Sequence, residues 1–324
     1  MDALQSIKET IQPEISEYQR VWMQCMQSEN PLLQEVLNHV SSRRGKMMRP
    51  ILTLLSAKLC GEVNQDTLYS AVALELLHTA TLIHDDVVDE SEERRGLYSV
   101  NKIYDNKIAV LVGDYILSLA LEMVSRVSNS EFKGVVASTT QELASGELLQ
   151  LKSVHNQDIS ENVYFHIIHQ KTASLFAACT HSGALSVAAT DTQLHALKDF
   201  GETLGRCFQI RDDIFDYSRS KNIGKPTGND MKEGKLTLPA IHVLTTKENA
   251  EMLRIANAVK NLSATEEEIA RLVEYTIEGG GIQYAEQRMD ELAAQAKSKL
   301  ESFEASPICS ALLDYVDYVV SRQR

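Results

Sequence analysis

The chain has 324 residues, 44 % apolar and 24 % charged, with thirty-two Lys and Arg against forty-five Asp and Glu and a net charge of −13. That balance is globular rather than disordered, and its acidity excludes a basic nucleic-acid binder. Fifteen Gly and six Pro are about half the usual share, which excludes a collagen-like chain.

Helical signals follow one another along the sequence. The opening MDALQSIKET carries an acid at once and no apolar stretch, so it predicts no signal peptide. Pro50 opens an apolar run that closes at Gly61, the order expected of a helix. Leu68, Val72, Leu76, Ala80 and Ile83 step by threes and fours through the next segment, and Leu111, Tyr115, Leu119 and Met123 through a later one. No proline falls between residues 51 and 225, and a proline costs about 3 kcal/mol inside a helix. Thr172–Thr190 is nineteen residues without a charge, but its Ser, Thr, His and Gly predict a buried helix rather than a membrane span. An integral membrane protein is therefore disfavoured, while a peripheral membrane contact stays open. Gly279, Gly280 and Gly281 break the pattern before a last pair of helices. No run alternates with period two beside turn residues. The expectation is one all-α domain over residues 1–324, with about a dozen helices. Five cysteines, odd in number and without a CxxC, predict reduced thiols in a cytoplasmic protein.

One motif stands out. LIHDDVVDE places Asp85, Asp86 and Asp89, and FQIRDDIFDY places Asp212, Asp213 and Asp216. Both are DDxxD, and a chain with seventeen aspartates would contain about 0.05 such motifs by chance. On a helix, positions i and i+4 share a face, so Asp85 and Asp89 pair, as do Asp212 and Asp216. Like charges at that spacing repel, and apolar neighbours raise the cost of leaving them unpaired. The bland reading is solvated helix ends or pairing with Lys and Arg. The sharper reading is Mg²⁺, which takes hard oxygen ligands from a few carboxylates plus substrate phosphates.

A diphosphate site also needs cations, and short basic clusters supply them: Arg43, Arg44, Lys46 and Arg49; Arg94 and Arg95; Lys171; Lys225 and Lys235. Arg grips phosphate through two bonds and Lys acts as a point charge. Gly224, Gly228 and Gly234 suggest a mobile loop carrying Lys225 and Lys235. His78 lies seven residues before Asp85 and Gln209 three before Asp212, each on the face of its motif. His84 has no such argument.

These residues together resemble a family. GKMMRP, HTATLIHDDVVDE followed by ERRG, KT, FQIRDDIFDY, and GKPTGND with EGKLTLP match, in order, the trans-isoprenyl diphosphate synthases, most closely the bacterial octaprenyl and related long-chain enzymes. The resemblance runs from about residue 43 to 240. It implies a homodimer of all-α subunits, each with a deep central cavity. It implies about three Mg²⁺ held by Asp85, Asp86, Asp89, Asp212, Asp213 and Asp216. Arg94, Lys171, Gln209 and Lys225 would hold the allylic diphosphate, with Thr172 and Lys235 nearby. Lys46, Arg49, His78 and Arg95 would hold isopentenyl diphosphate. Arg211 departs from the pattern, and its place next to Asp212 lets it face outward and pair elsewhere. Arg322 and Arg324 read as a frayed tail.

The implied reaction is ionisation of the allylic diphosphate, attack by the double bond of isopentenyl diphosphate, and proton loss to the released diphosphate. Asp85, Asp86, Asp89, Lys171, Asp212 and Asp213 would carry the chemistry, and Phe208 and Phe215 either shield the allylic cation or pack. Small residues at Ala80 and Thr81, where short-chain relatives typically carry aromatics, leave a tunnel open. Thr67 to Asp85 spans roughly 27 Å at about 1.5 Å per residue. Leu77, Leu74, Tyr69 or Ile116 would stop a product of about eight isoprene units, a quinone side chain being its implied destination. Two alternatives remain: a class I terpene cyclase or head-to-head synthase, and a non-catalytic subunit of a two-component synthase.

Overall fold

The structure, a computed structural model, describes residues 3–42, 45–94, 96–155, 159–217 and 228–322, with backbone only at 154 and 155. The helices are α1 (Ala3–Glu9), α2 (Gln12–Cys25), α3 (Pro31–Ser42), α4 (Met48–Cys60), α5 (Gln65–Val88), α6 (Val100–Ile103), α7 (Asn106–Arg126), α8 (Ser130–His155) and α9 (Glu161–Ile168). A π-helical turn at His169–Ala173 joins α9 to α10 (Ser174–Ser186). Then come α11 (Asp191–Phe215), α12 (Asn229–Lys232), α13 (Leu238–Thr246), α14 (Ala250–Lys260), α15 (Glu266–Glu278), α16 (Gly281–Lys299) and α17 (Pro307–Ser321). The all-α expectation holds. The helices outnumber the expected dozen because breaks invisible to hydrophobic periodicity cut off short pieces such as α1, α6 and α12. The strands β1 (Glu93–Arg94) and β2 (Leu97–Tyr98) form a hairpin too short for a period-two signal, turning at Gly96 with φ 76°.

The chain forms two compact units: residues 1–140, 178–198 and 303–312, and residues 141–177, 199–302 and 313–324. In the first, the Asn64 side chain accepts from the Thr67 backbone N–H and the Thr67 hydroxyl accepts from that of Asn64, a capping box that starts α5. Leu68, Val72, Leu76, Ala80 and Ile83 are buried along it, as the periodicity predicts. α4 ends where Gly61 places it, with Gly61 as its C-cap, but begins at Met48, two residues before Pro50. Gly183 of α10 lies so close to α4 that a Cβ there would come within 2.2 Å of the Thr53 carbonyl oxygen. The uncharged stretch after Thr172 is therefore packed helix.

α7 corrects one expectation. Its buried face runs through Ala109, Val112, Ile116, Leu119, Ala120 and Met123, so Leu119 and Met123 of the expected stripe are buried, whereas Leu111 is 67 % exposed. Val110 and Leu121 are exposed as well. The helix is apolar on more than one face, so several phases fit the same spacing. It is the one described helix long and apolar enough to cross a membrane, and 44 % of that window is buried within the chain. Gly113 lets it approach α5, where a Cβ would meet His84 Nε2 at 2.2 Å.

In the second unit, Tyr217, Met231, Ala240, Leu244, Ile255, Leu272 and Val273 belong to one core cluster. Thr265 and Glu268 form a capping box at α15, and Gly280, at φ 86°, starts α16. All five cysteines are free. Burial pushes the Cys179 and Cys207 thiols up to about 12 and Cys60 to about 11, so none of these three is poised to react.

Candidate active site

The first aspartate motif closes α5 in the first unit. Asp89 is the C-cap, and its N–H donates to the Asp85 carbonyl at 2.8 Å, so the i, i+4 pairing persists to the helix end. Asp86 is 3 % exposed, and Arg94 Nε, on β1, donates to its Oδ1 at 2.6 Å. Asn101 bridges the Asp86 and Ser91 carbonyls. The hairpin thus fixes Arg94 on the motif expected to share substrate phosphates with it. Arg49 stands half-buried in the first turn of α4, and Lys46 is exposed just before it. His78 is half-buried two turns below Asp85. Leu77 and Ala80 are buried, and the Thr81 hydroxyl bonds back to the His78 carbonyl at 2.9 Å. His84 turns to α7, 3.4 Å from Asp114 Oδ1. Arg43, Arg44 and Arg95 lie outside the described residues.

The second motif ends α11 in the second unit, inside a connected polar network. The Thr172 hydroxyl donates to Gln209 Oε1 at 2.7 Å, and Gln209 Nε2 donates to Asp213 Oδ1 at 2.9 Å. The Tyr164 hydroxyl donates to Asp213 Oδ2 at 2.6 Å. The backbone N–H groups of Asn229 and Asp230 donate to the two carboxylate oxygens of Asp216, each at 3.0 Å. Gly228, at φ 83°, makes that approach possible and donates to the Asp216 carbonyl. Lys235 is tied back by its N–H to the Asp230 carbonyl and by its ammonium to Glu233 at 2.7 Å. Lys225 and Gly224, the other part of the expected loop, lie outside the described residues. Lys171, in the π turn, pairs with Glu147 of α8.

Asp212, Asp213, Asp216 and Asp230, with Gln209, Asn229, Lys232 and Glu233, line a cavity of about 400 Å³. Burial is the main cause that pushes the Asp213 carboxyl up to about 7; Asp212 and Asp216 add to it, while Tyr164 and Gln209 oppose it. Burial, then Asp213 and Asp216, also raises Asp230 well above the carboxylate range. A concentration of carboxylates this costly to ionise fits a divalent cation with hard-oxygen preference. Among the described residues no three acidic or His/Cys side chains converge in ready ligating geometry. That is compatible with Mg²⁺, which retains waters and draws on substrate phosphates.

The tail expectation fails. The Arg322 side chain is 9 % exposed, and its Nη2 pairs with Asp212 Oδ1 at 2.7 Å and donates to the Phe208 carbonyl. Its guanidinium lies 4.0 Å from the Phe208 ring centre. Arg211 does pair elsewhere, donating through Nε and Nη2 to the Arg322 carbonyl, and it sits 4.8 Å from the Phe215 ring centre. Both rings offered as shields for an allylic cation thus carry arginines in this structure. Arg324 lies outside the described residues. Sequence reading also missed Tyr164, Glu147 and Asp230. Asp230 stood inside the GKPTGND motif and was the recoverable one. Tyr164 and Glu147 meet their partners across long stretches of chain, with no local signature.

The chain is 32 % identical to the octaprenyl diphosphate synthase of Escherichia coli K12 over 324 residues, covering 99 % of each chain. A geranylgeranyl pyrophosphate synthase structure from Bacteroides thetaiotaomicron is 45 % identical, with a TM-score of 0.88 over 99 % of this chain and 100 % of that one. A Caulobacter crescentus polyprenyl synthase, complexed with calcium and isoprenyl diphosphate, superposes at a TM-score of 0.92, with 33 % identity over 99 % of this chain and 98 % of that one. With residues 30–276 matching its profile, the chain belongs to the polyprenyl synthetase family.

Proposed function

We propose that this chain is a trans-prenyltransferase that condenses isopentenyl diphosphate with a farnesyl- or geranylgeranyl-type allylic diphosphate and repeats the addition to a long all-trans product. The observation that carries the reading is the pair of DDxxD motifs, each ending a helix and each already engaged by a basic group, within a chain similar over its full length to such synthases. Asp85, Asp86 and Asp89, and Asp212, Asp213 and Asp216, would hold about three Mg²⁺. When bound, Mg²⁺ supplies charge stabilisation to the leaving diphosphate. Arg94, Lys171, Gln209 and Lys225 bind that diphosphate, with Thr172 and Lys235 near it. Lys46, Arg49, His78 and Arg95 hold isopentenyl diphosphate. The C–O bond of the allylic substrate breaks, the isopentenyl double bond attacks, and a proton passes to the released diphosphate.

Ala80, Thr81 and Leu77 set the product ceiling, about eight isoprene units by the tunnel length along α5. A twenty-carbon product is the second reading, favoured by the 45 % identity to a geranylgeranyl synthase. The exposed Val110, Leu111 and Leu121 on α7 support a homodimer that covers this face. We read the two compact units as parts of one functional synthase domain, its location as cytoplasmic, and a quinone side chain as the use of a long product.

One incubation tests the reading. The protein is mixed with Mg²⁺, isopentenyl diphosphate and either allylic primer, and dephosphorylated products are sized by mass spectrometry. A ladder ending at thirty to fifty carbons supports the long-chain reading, and a stop at twenty supports the second. No elongation by folded protein would return the cyclase and subunit alternatives. Sedimentation of the same sample reads the dimer.

A further inference from the structure

We propose that Glu147 is a positioning residue for the diphosphate step: it holds the Lys171 ammonium aimed and neutralised, and it limits how tightly diphosphate is retained. The inference rests on the reading above, in which Lys171 meets the allylic diphosphate.

Three independent features of the second unit converge on this contact. The ammonium of Lys171 and the Glu147 carboxylate are an ion pair, with side chains 23 % and 17 % exposed. The other Glu147 oxygen lies 3.4 Å from Gln150 Nε2, one turn on, which fixes the carboxylate from behind. Gly146, next to Glu147, brings α8 against the π turn: a Cβ there would lie 2.8 Å from Gln170 Cβ and 2.9 Å from Lys171 Cγ. Any larger residue would push α8 and its carboxylate away from Lys171. The π turn itself, closed by the Ser174 N–H donating to the His169 carbonyl, widens the helix at this point and sets the direction of Lys171. A widened turn, a glycine contact and a half-buried ion pair at one lysine exceed what packing alone needs.

The consequence is electrostatic. A bound diphosphate and the Glu147 carboxylate compete for the same ammonium, so the ion pair withholds part of the attraction that Lys171 offers the ligand. Glu147 therefore weakens retention of the ligand while it keeps the lysine in place. In a repeating reaction that frees one diphosphate per addition, weaker retention speeds release.

The test uses inorganic diphosphate as a competitive inhibitor, with Mg²⁺ saturating and steady-state constants for the allylic substrate. Glu147→Gln keeps the shape and an oxygen acceptor but removes the charge. Its inhibition constant for diphosphate is expected to fall about threefold or more, with KM and kcat both lower than in the wild type. Glu147→Asp keeps the charge and is expected to hold the inhibition constant near the wild-type value. In a Lys171→Gln background the effect of Glu147→Gln disappears, because it acts through the lysine. An unchanged or raised inhibition constant in Glu147→Gln overturns the proposal, as does an equal shift without Lys171. Should Glu147→Gln not fold, Glu147→Ala gives the same readout. If wild-type protein shows neither elongation nor inhibition by diphosphate, the functional reading itself fails, an outcome distinct from a wild type that works beside an unaltered variant.

Discussion

Arg322 reaches the acidic cavity from the last helix, 110 residues away from Asp212 in sequence, and it arrives nearly buried. Its charge-assisted bond and its stacking on Phe208 together are worth about 1–3 kcal/mol, discounted for the half-exposed Asp212 partner. Arg322→Ala should lower the melting temperature by a few degrees, roughly 2–4 °C per kcal/mol for a chain of this size class. Calorimetry that finds no change would return Arg322 to the tail. His181 offers a pH prediction. Burial, then the nearby Lys198 charge, lowers its pKa below the ordinary value of 6.5. The unfolded chain then binds a proton that the folded chain resists, so this contribution is full above about 6.5 and is lost as pH falls below it. Relative to His181→Gln, the wild type should lose melting temperature between pH 7 and pH 5. Parallel curves for the two proteins would contradict this.

At the scale of elements, the proposed function puts both chemistry and specificity on α5. The same helix ends in Asp85, Asp86 and Asp89 and presents Thr81 and Ala80 about one turn below. A bulky group there should block chain growth without touching the acids. Thr81→Phe is expected to shorten the longest product by at least about one isoprene unit for each 5.4 Å turn of tunnel removed. A product of unchanged length would place the tunnel elsewhere. α4 and α5 were legible from the sequence because Pro50, Gly61 and a clean apolar stripe act locally. The phase of α7 was not, because Val110, Leu111 and Leu121 are as apolar as the residues it buries. The π turn was not legible either, since no residue type in HQKTA demands it.

At the scale of the molecule, the candidate site was legible as a set of residue types and only partly as a set of contacts. Both aspartate motifs and Arg94, Lys171, Thr172 and Gln209 were named from spacing and resemblance, and the structure links Arg94 to Asp86, and Thr172 through Gln209 to Asp213. Tyr164, Glu147 and Arg322 entered only with the fold, because their partners lie 49, 24 and 110 residues away and no periodicity spans such distances. Resemblance carries over residues that a motif contains, whereas contacts made by the tertiary course of the chain have to be seen.

The two helices that carry the motifs also carry them at the same end. α5 and α11 both place their aspartates at the carboxyl end, and neither has a basic residue in its last turn. The helix dipole puts about half a negative charge at that end, so each acid there is disfavoured by about 0.3–1 kcal/mol, where a lysine or arginine would have helped. Elsewhere α16 follows the favourable rule, ending in Lys297 and Lys299. Each of these two helix ends is thus unfavourable, offset in part by Arg94 on Asp86 and Arg322 on Asp212, and a divalent cation complements the charge that remains. The thermal stability of the chain should then act as a divalent-ion meter even without substrate. The melting temperature should climb with Mg²⁺, by the equivalent of about 2.7 kcal/mol at a hundredfold excess over the dissociation constant. The rise should fade when Asp85 and Asp212 are both changed to Asn, which turns a feature of helix direction into a direct reading of metal occupancy.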